Sequence, residues 1–473
     1  MIKAKKVKQD FTSGPIFWRL AIYALPIMLT GLLQTMYGIA DNIVVGRFSG
    51  NDNALAAVGS TTTVSNLLIN LTLGFSIGAG IAVAQFLGAK DDKRVSESVH
   101  TSMSLSAIAG VFLCVLGLVL TRPVLIAMGT KPELIDDASL YLSIIMLGIP
   151  AQTIYNFGAA ILRSVGDSKS SLYILASTGI ANVLMNLLFV IVFNMSVVGV
   201  ALSTIISQYA SAVAVTIVLM RGQGSHKLYL SKLKINLEIL KKVTKLGLPS
   251  GIQSAIFAFS GIIFTSSVNQ FSKSTIYAFT VGNNVDNITL TVMNSFQQAT
   301  MTFSAQNFGA KNLGRIKRTL VYSIFWAITA SIVIGTITLE FAEPITKLYI
   351  SANNENTEAI ISEALVMMKL ILRTYFLLAI MNVLTGTLRG LGYSLSSMLG
   401  SIACVVGGRL GWIFIFFPTE RFHTFRGLLL AYPISWAMAA ILFSTVMFFV
   451  LKKLKINFQD EKEIKKIEEV SAS

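Results

Sequence analysis

The stretch YNFGAAILRSVGDSKSS, residues 155–171, recurs in the second half of the chain as IMNVLTGTLRGLGYSLSS, residues 380–397. The matched positions include an asparagine, an arginine and a glycine, namely Asn156 with Asn382, Arg163 with Arg389 and Gly166 with Gly392. Two shorter pairs lie at nearly the same offset, QFLGAK with QNFGAK and Pro26 with Pro249. Self-similarity at one offset is typical of a duplicated architecture, so the sequence predicts two related halves.

The composition places these halves in a membrane. Hydrophobic residues make up 53% of the 473 residues and charged residues 13%, whereas a soluble domain has roughly 25% charged residues. A run of about 20 apolar residues is long enough to cross the hydrocarbon core. Twelve such runs occur, at approximately residues 18–45, 55–87, 98–120, 138–163, 171–193, 197–220, 243–268, 276–307, 319–342, 360–388, 397–417 and 427–451. We therefore predict an all-α polytopic membrane protein with twelve transmembrane helices.

The repeat divides the twelve predicted helices into two six-helix lobes. Six crossings return the chain to the side from which it started, so the lobes are expected to form a parallel repeat about an axis along the membrane normal. The predicted parts are an N-terminal lobe, a cytoplasmic connector, a C-terminal lobe and a cytoplasmic tail, at residues 1–220, 221–245, 246–452 and 453–473. Two pseudo-symmetric lobes are typical of carriers that open a central cleft to one side and then to the other.

The distribution of lysine and arginine gives the orientation. Most of the 38 Lys and Arg residues lie in the N-terminal segment, the even-numbered loops and the C-terminal tail. By the positive-inside rule both termini are expected in the cytoplasm, with the protein in the plasma membrane. The net charge of +15 then reflects topology and attraction to anionic headgroups, and we expect no nucleic-acid partner. The connector segment NLEILKKVTKL is expected either to lie on the inner leaflet or to be a solvated linker. We expect a monomer in the lipid bilayer.

Polar side chains form a stripe on one face of the first predicted helix. Their spacing is that of a single helix face, and they comprise Thr30, Gln34, Tyr37 and Asp41. The fifth helix has a similar stripe, made of Thr178, Asn182 and Asn186. Because a polar stripe facing lipid is costly, both stripes are expected to face the lobe interior or a hydrated cavity.

Asp41 is the predicted site of a coupling ion in the N-terminal lobe. A desolvated carboxylate can load and release a proton, and neighbouring asparagine oxygens can equally complete a sodium shell. The predicted partners of Asp41 are Gln34, Tyr37, Asn182 and Asn186. The alternative is a structural, hydrogen-bonded aspartate.

The C-terminal lobe has its own acid, Asp286, on the eighth predicted helix. It lies on the flank of a polar stripe composed of Asn283, Asn287, Asn294 and Gln298. We interpret this group as a substrate site or second ion site. The alternative is that Asp286 is the structural partner of a nearby cation.

Three cations lie within predicted spans, Lys369 and Arg373 on the tenth helix and Arg409 on the eleventh. Together they predict a possible basic pocket, which would favour an anionic or zwitterionic substrate. In the structural alternative, Lys369 extends its ammonium group toward the interface and Arg373 or Arg409 pairs with Asp286.

No catalytic residues and no metal site are predicted. The three histidines have no metal-ligand spacing, and no nucleophile elbow or phosphate-binding glycine loop is present. An enzyme is therefore disfavoured. A channel is disfavoured because channels use identical subunits or repeated filter segments around a pore.

Nearly the whole chain resembles the multidrug and toxic compound extrusion (MATE) transporters. The segment ALPIMLTGLLQTMYGIADNIVVGRF is similar to that family's first helix, and AQFLGAKD, AQNFGAKN, LRSVGDSK and LRGLGYS are similar to its paired loop motifs. The resemblance implies secondary active export of small, amphipathic, often cationic compounds, driven by protons or sodium without a further cofactor. A flippase of lipid-linked saccharides or another anionic amphiphile is the alternative.

Two positions depart from the family pattern. Members with an ion site in the N-terminal lobe often have a second acid on the fifth helix, where this chain has Asn186. Acids of the second lobe lie on the seventh helix in some relatives, where this chain has Gln253 and neither Asp nor Glu. A single charge at Asp41 weakens the expectation of sodium binding but is compatible with a one-proton mechanism.

Overall fold

The computed structural model describes residues 10–48, 54–350 and 356–471, and most of these residues are helical. The α-helices in chain order are α1 (Phe17–Phe48), α2 (Ala54–Gly88), α3 (Asp92–Ala127), α4 (Pro132–Ser164), α5 (Ser168–Leu187), α6 (Ser196–Arg221), α7 (Leu237–Val268), α8 (Lys273–Gly309), α9 (Leu313–Glu340), α10 (Ala342–Tyr349), α11 (Thr357–Gly390), α12 (Ser394–Ser401), α13 (Gly408–Gly411), α14 (Phe425–Leu429) and α15 (Ala431–Ser471).

The predicted all-α, polytopic architecture is confirmed. Within the described ranges, 11 helical segments are long and apolar enough to cross a membrane. The remaining predicted span, the eighth at residues 276–307, corresponds to α8, which is 37 residues long. Helix α8 is less apolar than the other spans because it carries the polar stripe around Asp286.

Two of the spans are not regular α-helices. Helix α5 continues as a π-helix over Leu188–Val192. The sequence predicts one continuous helix over residues 397–417, but π-helical turns at Ile402–Gly407 and Trp412–Phe416 flank α13 there. The inserted residue of a π-helical turn shifts the side chains that follow it, and such turns are frequent at functional sites. Hydrophobic periodicity does not reveal them.

The chain forms two compact units. The first comprises Leu25–Leu87 and Asp91–Ala255, and the second comprises Phe11–Ala24, Gly88–Lys90 and the chain from Ile256 onward. Helices α1 and α7 are each divided between the units. These units do not define the lobes of the predicted repeat, so the lobe boundaries predicted from the sequence stay a prediction.

Two of the paired loop motifs form the same turn. Lys90 and Lys311 adopt left-handed backbone conformations with φ of 57° and 53°. The next residues, Asp91 and Asn312, accept a hydrogen bond from the backbone N–H three positions later, at 3.0 and 3.1 Å. A left-handed residue ends one helix and an Asx side chain caps the next. This requirement explains why GAKD and GAKN recur in the two halves.

The second pair of motifs repeats the turn with different chemistry. Gly166 and Gly392 have φ of 85° and 91°, a conformation that favours glycine. Asp167 then caps α5 through the N–H of Ser170, whereas Tyr393 provides no side-chain cap for α12. The repeated glycine therefore fixes the turn geometry, and the cap residue is free to differ.

Helix α4 is the central element of the first unit's core. It packs between α3 and α6 through a cluster of buried residues, namely Leu125, Ala138, Leu142, Ile145, Met146, Ile149 and Ala201. A Cβ added at Gly110 of α3 would lie 2.7 Å from Pro150 Cα of α4. One added at Gly148 of α4 would lie 2.0 Å from Gln208 Oε1 of α6. The small residues let these helices approach closely, as is common in membrane helix packing.

Helices α2 and α7 cross in direct backbone contact within the first unit. Each carries a Gly-x-x-x-Gly motif at the crossing, Gly74 and Gly78 on α2 and Gly247 and Gly251 on α7. A Cβ added at Gly74 would lie 2.2 Å from Gly251 Cα, and one added at Gly247 would lie 2.7 Å from Phe75 O. Van der Waals packing at such a crossing replaces the hydrophobic effect, which is absent between helices in lipid.

The substitution Gly247→Ala is expected to lower the thermal unfolding midpoint of the detergent-solubilised protein, because the methyl group forces the two backbones apart. Overpacking of this kind costs about 1–3 kcal/mol. Gly261→Ala on the same helix is the control, since nothing lies within 4 Å of its added Cβ. Equal midpoints for the two variants would show that the α2–α7 crossing is not a tight constraint.

Candidate functional site

The predicted polar stripes of α1 and α5 meet at Asp41. Asn186 of α5 donates a hydrogen bond to this carboxylate, with 2.5 Å between Asn186 Nδ2 and Asp41 Oδ1. The same nitrogen lies 3.4 Å from Asn182 Oδ1, one turn earlier on α5. The i, i+4 spacing read from the sequence thus places both asparagines on the face that meets α1.

Helix α6 completes this network from the other side of α5. Ser203 donates its hydroxyl proton to Asn186 Oδ1, and Asn186 is fully buried. Both ends of the Asn186 amide are therefore engaged, the nitrogen toward Asp41 and the oxygen toward α6. A second contact joins α5 and α6, in which Ser211 Oγ donates to Thr178 Oγ1 at 2.8 Å.

Tyr37 fixes the approach of α1 to α5. Its hydroxyl donates to Ala176 O at 3.3 Å. Its ring lies against Gly179, where an added Cβ would come within 1.9 Å of Tyr37 Cε2. Only a glycine leaves room for the ring at this position, so Gly179 belongs to the site although it carries no functional group.

The described neighbours of Asp41 are uncharged. Its polar partners are the amide of Asn186, which donates a hydrogen bond to it, and the phenol of Tyr141, which lies near enough to interact with it electrostatically. Among the residues that the structure describes, no Lys, Arg or His forms an ion pair with Asp41. A carboxylate that is withdrawn from water without a cation partner is stabilised by binding a proton or a metal cation.

Two residues of the α1 stripe take no part in this network. Thr30 is buried and donates its hydroxyl proton to Pro26 O at 2.7 Å. That bond is internal to α1. Gln34 is exposed and makes no hydrogen bond with any residue in the described part of the chain. The structure therefore joins Asn186 to Asp41, with Asn182 next to Asn186 and Tyr37 packed against α5, but it does not bring Gln34 into this network.

Asp286 has a different environment in the second unit. Tyr375 of α11 donates its hydroxyl proton to Asp286 Oδ1, and Tyr375 is fully buried. Asp286 also lies close enough to Arg409 for a direct electrostatic interaction. The carboxylate therefore has both a neutral donor and a cation.

Arg409 is buried between the two π-helical turns of the eleventh span. Its guanidinium carbon lies 4.3 Å from the centroid of the Tyr432 ring, a cation–π distance. Its side chain is 8% exposed, and its Nε has no hydrogen-bond partner among the described residues. Tyr375 and Tyr432 both pack against Trp436, with ring centroids 5.5 and 5.7 Å apart. Asp286 and Arg409 thus lie next to the same group of aromatic side chains.

The other predicted members of the C-terminal group do not converge on Asp286. Asn382 Nδ2 donates to Asn294 Oδ1 at 3.3 Å, which joins α11 to α8. Three members remain, Asn283, Asn287 and Gln298. Their side chains form no hydrogen bond with any of the described residues. A polar helix face therefore exists, but its residues do not form one site.

The three intramembrane cations are also separated. Lys369 and Arg373 are exposed, whereas Arg409 is buried beside Tyr432. Arg373 lines a surface groove of about 200 Å³ with residues of α9, among them Ser331 and Gly335. The structure does not bring the three cations into one basic pocket. Arg409 lies near enough to Asp286 for an electrostatic interaction, so the pairing of these two residues, which the sequence left as an alternative, stays a prediction.

Sequence reasoning overlooked Ser203 and Tyr375. Ser203 begins an i, i+4 serine series on α6 with Ser207 and Ser211, so the rule that identified α5 applies to it as well. Tyr375 gives no such signal, because its partner lies on another helix far away in the sequence. In the described residues, no group of three or more His, Cys, Asp and Glu lies together as a metal site.

Comparisons with known proteins identify the family of this chain. The protein-family model MatE matches residues 26–188 and 249–410. The chain is 28% identical over 454 residues to the probable multidrug resistance protein YoeA of Bacillus subtilis, covering 94% of this chain and 96% of that protein. It is 27% identical over 312 residues to the multidrug export protein MepA of Staphylococcus aureus, covering 65% of this chain and 68% of that protein.

Solved structures give the same fold. A crystal structure of a MATE in complex with MaL6 has a TM-score of 0.88 at 22% identity, and the alignment covers 96% of this chain and 100% of that chain. This likeness confirms the predicted fold class of two six-helix lobes. The two MatE matches, one in each half of the chain, span well over half of its residues. The chain belongs to the MATE family of multidrug efflux transporters.

Proposed function

We propose that this transporter exports amphipathic, cationic compounds by alternating access, in exchange for a proton or sodium ion that binds at Asp41. The observation that supports this most directly is the environment of Asp41, a membrane-span carboxylate whose described partners are all neutral. An exchangeable cation balances that charge. The proposal includes a plasma-membrane location with both termini in the cytoplasm, and no cofactor other than the coupling ion.

Protonation of Asp41 would change the hydrogen bonds that join three helices. As a carboxylate, Asp41 only accepts, and Asn186 is oriented with its nitrogen toward α1 and its oxygen toward Ser203. A protonated carboxyl group also has a donor. This donor needs an acceptor oxygen, whereas Asn186 presents its nitrogen to Asp41. Protonation is therefore expected to rearrange the hydrogen bonds that join α1, α5 and α6. This gives a physical link between ion binding and helix movement.

Sodium is the other candidate ion. The oxygens of Asp41, Asn182 and Asn186 are hard ligands that suit a small cation, but only one of them carries a charge. A proton needs one basic oxygen and no shell. The single acid therefore favours a proton, and a comparison of the two gradients distinguishes the ions.

Asp286 is assigned a structural role in this proposal. Tyr375 donates a hydrogen bond to its carboxylate and Arg409 lies near enough to interact with it electrostatically, so it depends less than Asp41 on an exchangeable ion. Asp41 is then the one acid that loads. Exchange of one proton for one monovalent cation moves no net charge, and the driving force is about 1.4 kcal/mol per pH unit.

One observation favours a second candidate function. The buried guanidinium of Arg409 has an Nε without a hydrogen-bond partner in the described structure. A substrate anion could supply that partner, which would make the protein an exporter or flippase of anionic amphiphiles. The contact of Arg409 with Tyr432 and its closeness to Asp286 leave it less available, so this candidate ranks second.

The substitution Asp41→Asn is expected to reduce gradient-driven efflux of a fluorescent lipophilic cation to the level of vesicles without the protein. The amide keeps the size of the side chain but neither carries a charge nor titrates. Equilibrium binding of the dye should persist. The measurement is efflux from proteoliposomes under a pH gradient and, separately, under a sodium gradient.

Asp136→Asn is the matched control, because Asp136 is exposed and paired with Arg122 at 3.1 Å. It should leave efflux unchanged. Full gradient-driven efflux by Asp41→Asn would remove Asp41 from the coupling role.

Efflux of a monovalent cation under a fixed pH gradient is expected to be insensitive to membrane potential. One loaded acid makes the exchange electroneutral, whereas a second inward ion would add about 2.3 kcal/mol per 100 mV. The test compares initial rates with and without a potassium diffusion potential. An acceleration by inside-negative potential would mean that a second site loads, and Asp286 would then be the first position to examine.

The substitution Asp286→Asn is expected to destabilise the protein, because it leaves the guanidinium of Arg409 buried without its anion. Loss of a charged hydrogen-bond acceptor such as the one Tyr375 has here costs about 1.5–3 kcal/mol. The double variant Asp286→Asn/Arg409→Met should recover much of the thermal unfolding midpoint in detergent. An unchanged midpoint combined with lost efflux would instead assign Asp286 to coupling.

A further inference from the structure

The segment between α6 and α7, residues 222–236, is held in one conformation against the start of α3. The N–H of Tyr229 donates to His100 Nε2 at 3.1 Å, and the two rings stack with centroids 6.3 Å apart. Thr101 Oγ1 donates to Lys234 O at 3.3 Å and accepts from the N–H of Asn236 at 3.1 Å. The segment is therefore a preorganised surface.

Two lysines share one aromatic ring on this surface. Lys227 Nζ lies 5.0 Å and Lys232 Nζ lies 4.9 Å from the centroid of Tyr229. Neither lysine takes part in any of the described ion pairs. Two ammonium groups held at one ring without a carboxylate create a local excess of positive charge, which favours an anion with several acceptor oxygens.

Apolar side chains are exposed beside these lysines. Leu230 begins the short 3₁₀ turn Leu230–Lys232, Leu233 follows it, and Leu237 begins α7 and is 76% exposed. Both neighbouring helices are candidate membrane spans, Ser196–Arg221 and Leu237–Val268. With both helices spanning the membrane, the leucines are expected at the boundary between hydrocarbon core and headgroups, where leucine beside lysine is stable.

We propose that residues 227–237 form a binding site for an anionic phospholipid of the inner leaflet. Lys227 and Lys232 hold the headgroup phosphate, and the three leucines contact the upper acyl chains. A soluble phosphate would use the lysines but leave the leucines in water. A zwitterionic lipid would make the apolar contacts with the leucines, but its neutral headgroup would be attracted less strongly by the lysines. Anionic phospholipid is the ligand that uses both, and the inference does not depend on the coupling role of Asp41.

A bound lipid at this position would act on transport through two helices. The segment continues directly into α6, which carries Ser203, and into α7, which crosses α2 at the glycine contacts. Holding the ends of α6 and α7 at the membrane surface restrains the helices that would move on ion loading. Anionic lipid is therefore expected to affect transport rate as well as to bind.

The test is a titration of the full-length detergent-solubilised protein with phosphatidylglycerol and with phosphatidylcholine, followed by native mass spectrometry. The double variant Lys227→Gln/Lys232→Gln should bind phosphatidylglycerol roughly 30-fold more weakly, since each lysine near a membrane surface contributes about a factor of five. Its affinity for phosphatidylcholine should not change. Leu230→Ser/Leu233→Ser should weaken the binding of both lipids.

The control is Lys452→Gln/Lys453→Gln on α15, which removes two exposed charges from another part of the protein. The control should bind phosphatidylglycerol as the unmodified protein does. Equal weakening in the control would mean that only general charge attraction operates. Unchanged affinity in Lys227→Gln/Lys232→Gln would overturn the site, and so would binding of soluble glycerol phosphate as tight as that of the lipid. Unfolding midpoints establish that each variant is folded.

Discussion

A carboxylate inside a membrane span has to be hydrogen-bonded and electrically balanced, and the two aspartates within the predicted spans, Asp41 and Asp286, differ in their partners. Asp286 accepts a hydrogen bond from the phenol of Tyr375 and lies near the cation Arg409. The described partners of Asp41 are neutral, and a carboxylate without a cation partner is stabilised by binding one. This contrast is the basis for assigning one aspartate to structure and the other to coupling.

The two halves reproduce backbone geometry more faithfully than side-chain chemistry. Lys90 and Lys311 share a left-handed conformation, and Gly166 and Gly392 share another. These turns depend on local φ and on the capping of a helix, so similar sequences give similar turns. The polar groups that bear function are not repeated in the same way, since Asp41 and Asp286 lie at unrelated positions of their halves. Duplication has preserved the framework and left the sites to diverge.

Periodicity explains what could be predicted from the sequence. The twelve spans and the face shared by Asn182 and Asn186 follow from hydropathy and from i, i+4 spacing, which are local properties. The hydrogen bond of Tyr375 with Asp286 and the stacking of Arg409 on Tyr432 join distant helices. A one-dimensional pattern contains no information on how two helices rotate to face each other. Gly179 was overlooked for the same reason, because its importance comes from the Tyr37 ring that it admits.

The π-helical turns suggest why these buried polar groups lie where they do. In the fifth span the π-helix starts at Leu188, just after Asn186, and in the eleventh span two such turns bracket Arg409. A π-helical turn has an extra residue, so it rotates the following face and weakens the regular i→i−4 bonding. In the fifth span, the π-helical turn therefore determines which side chains face α1 beyond Asn186, and it does so directly next to the network at Asp41.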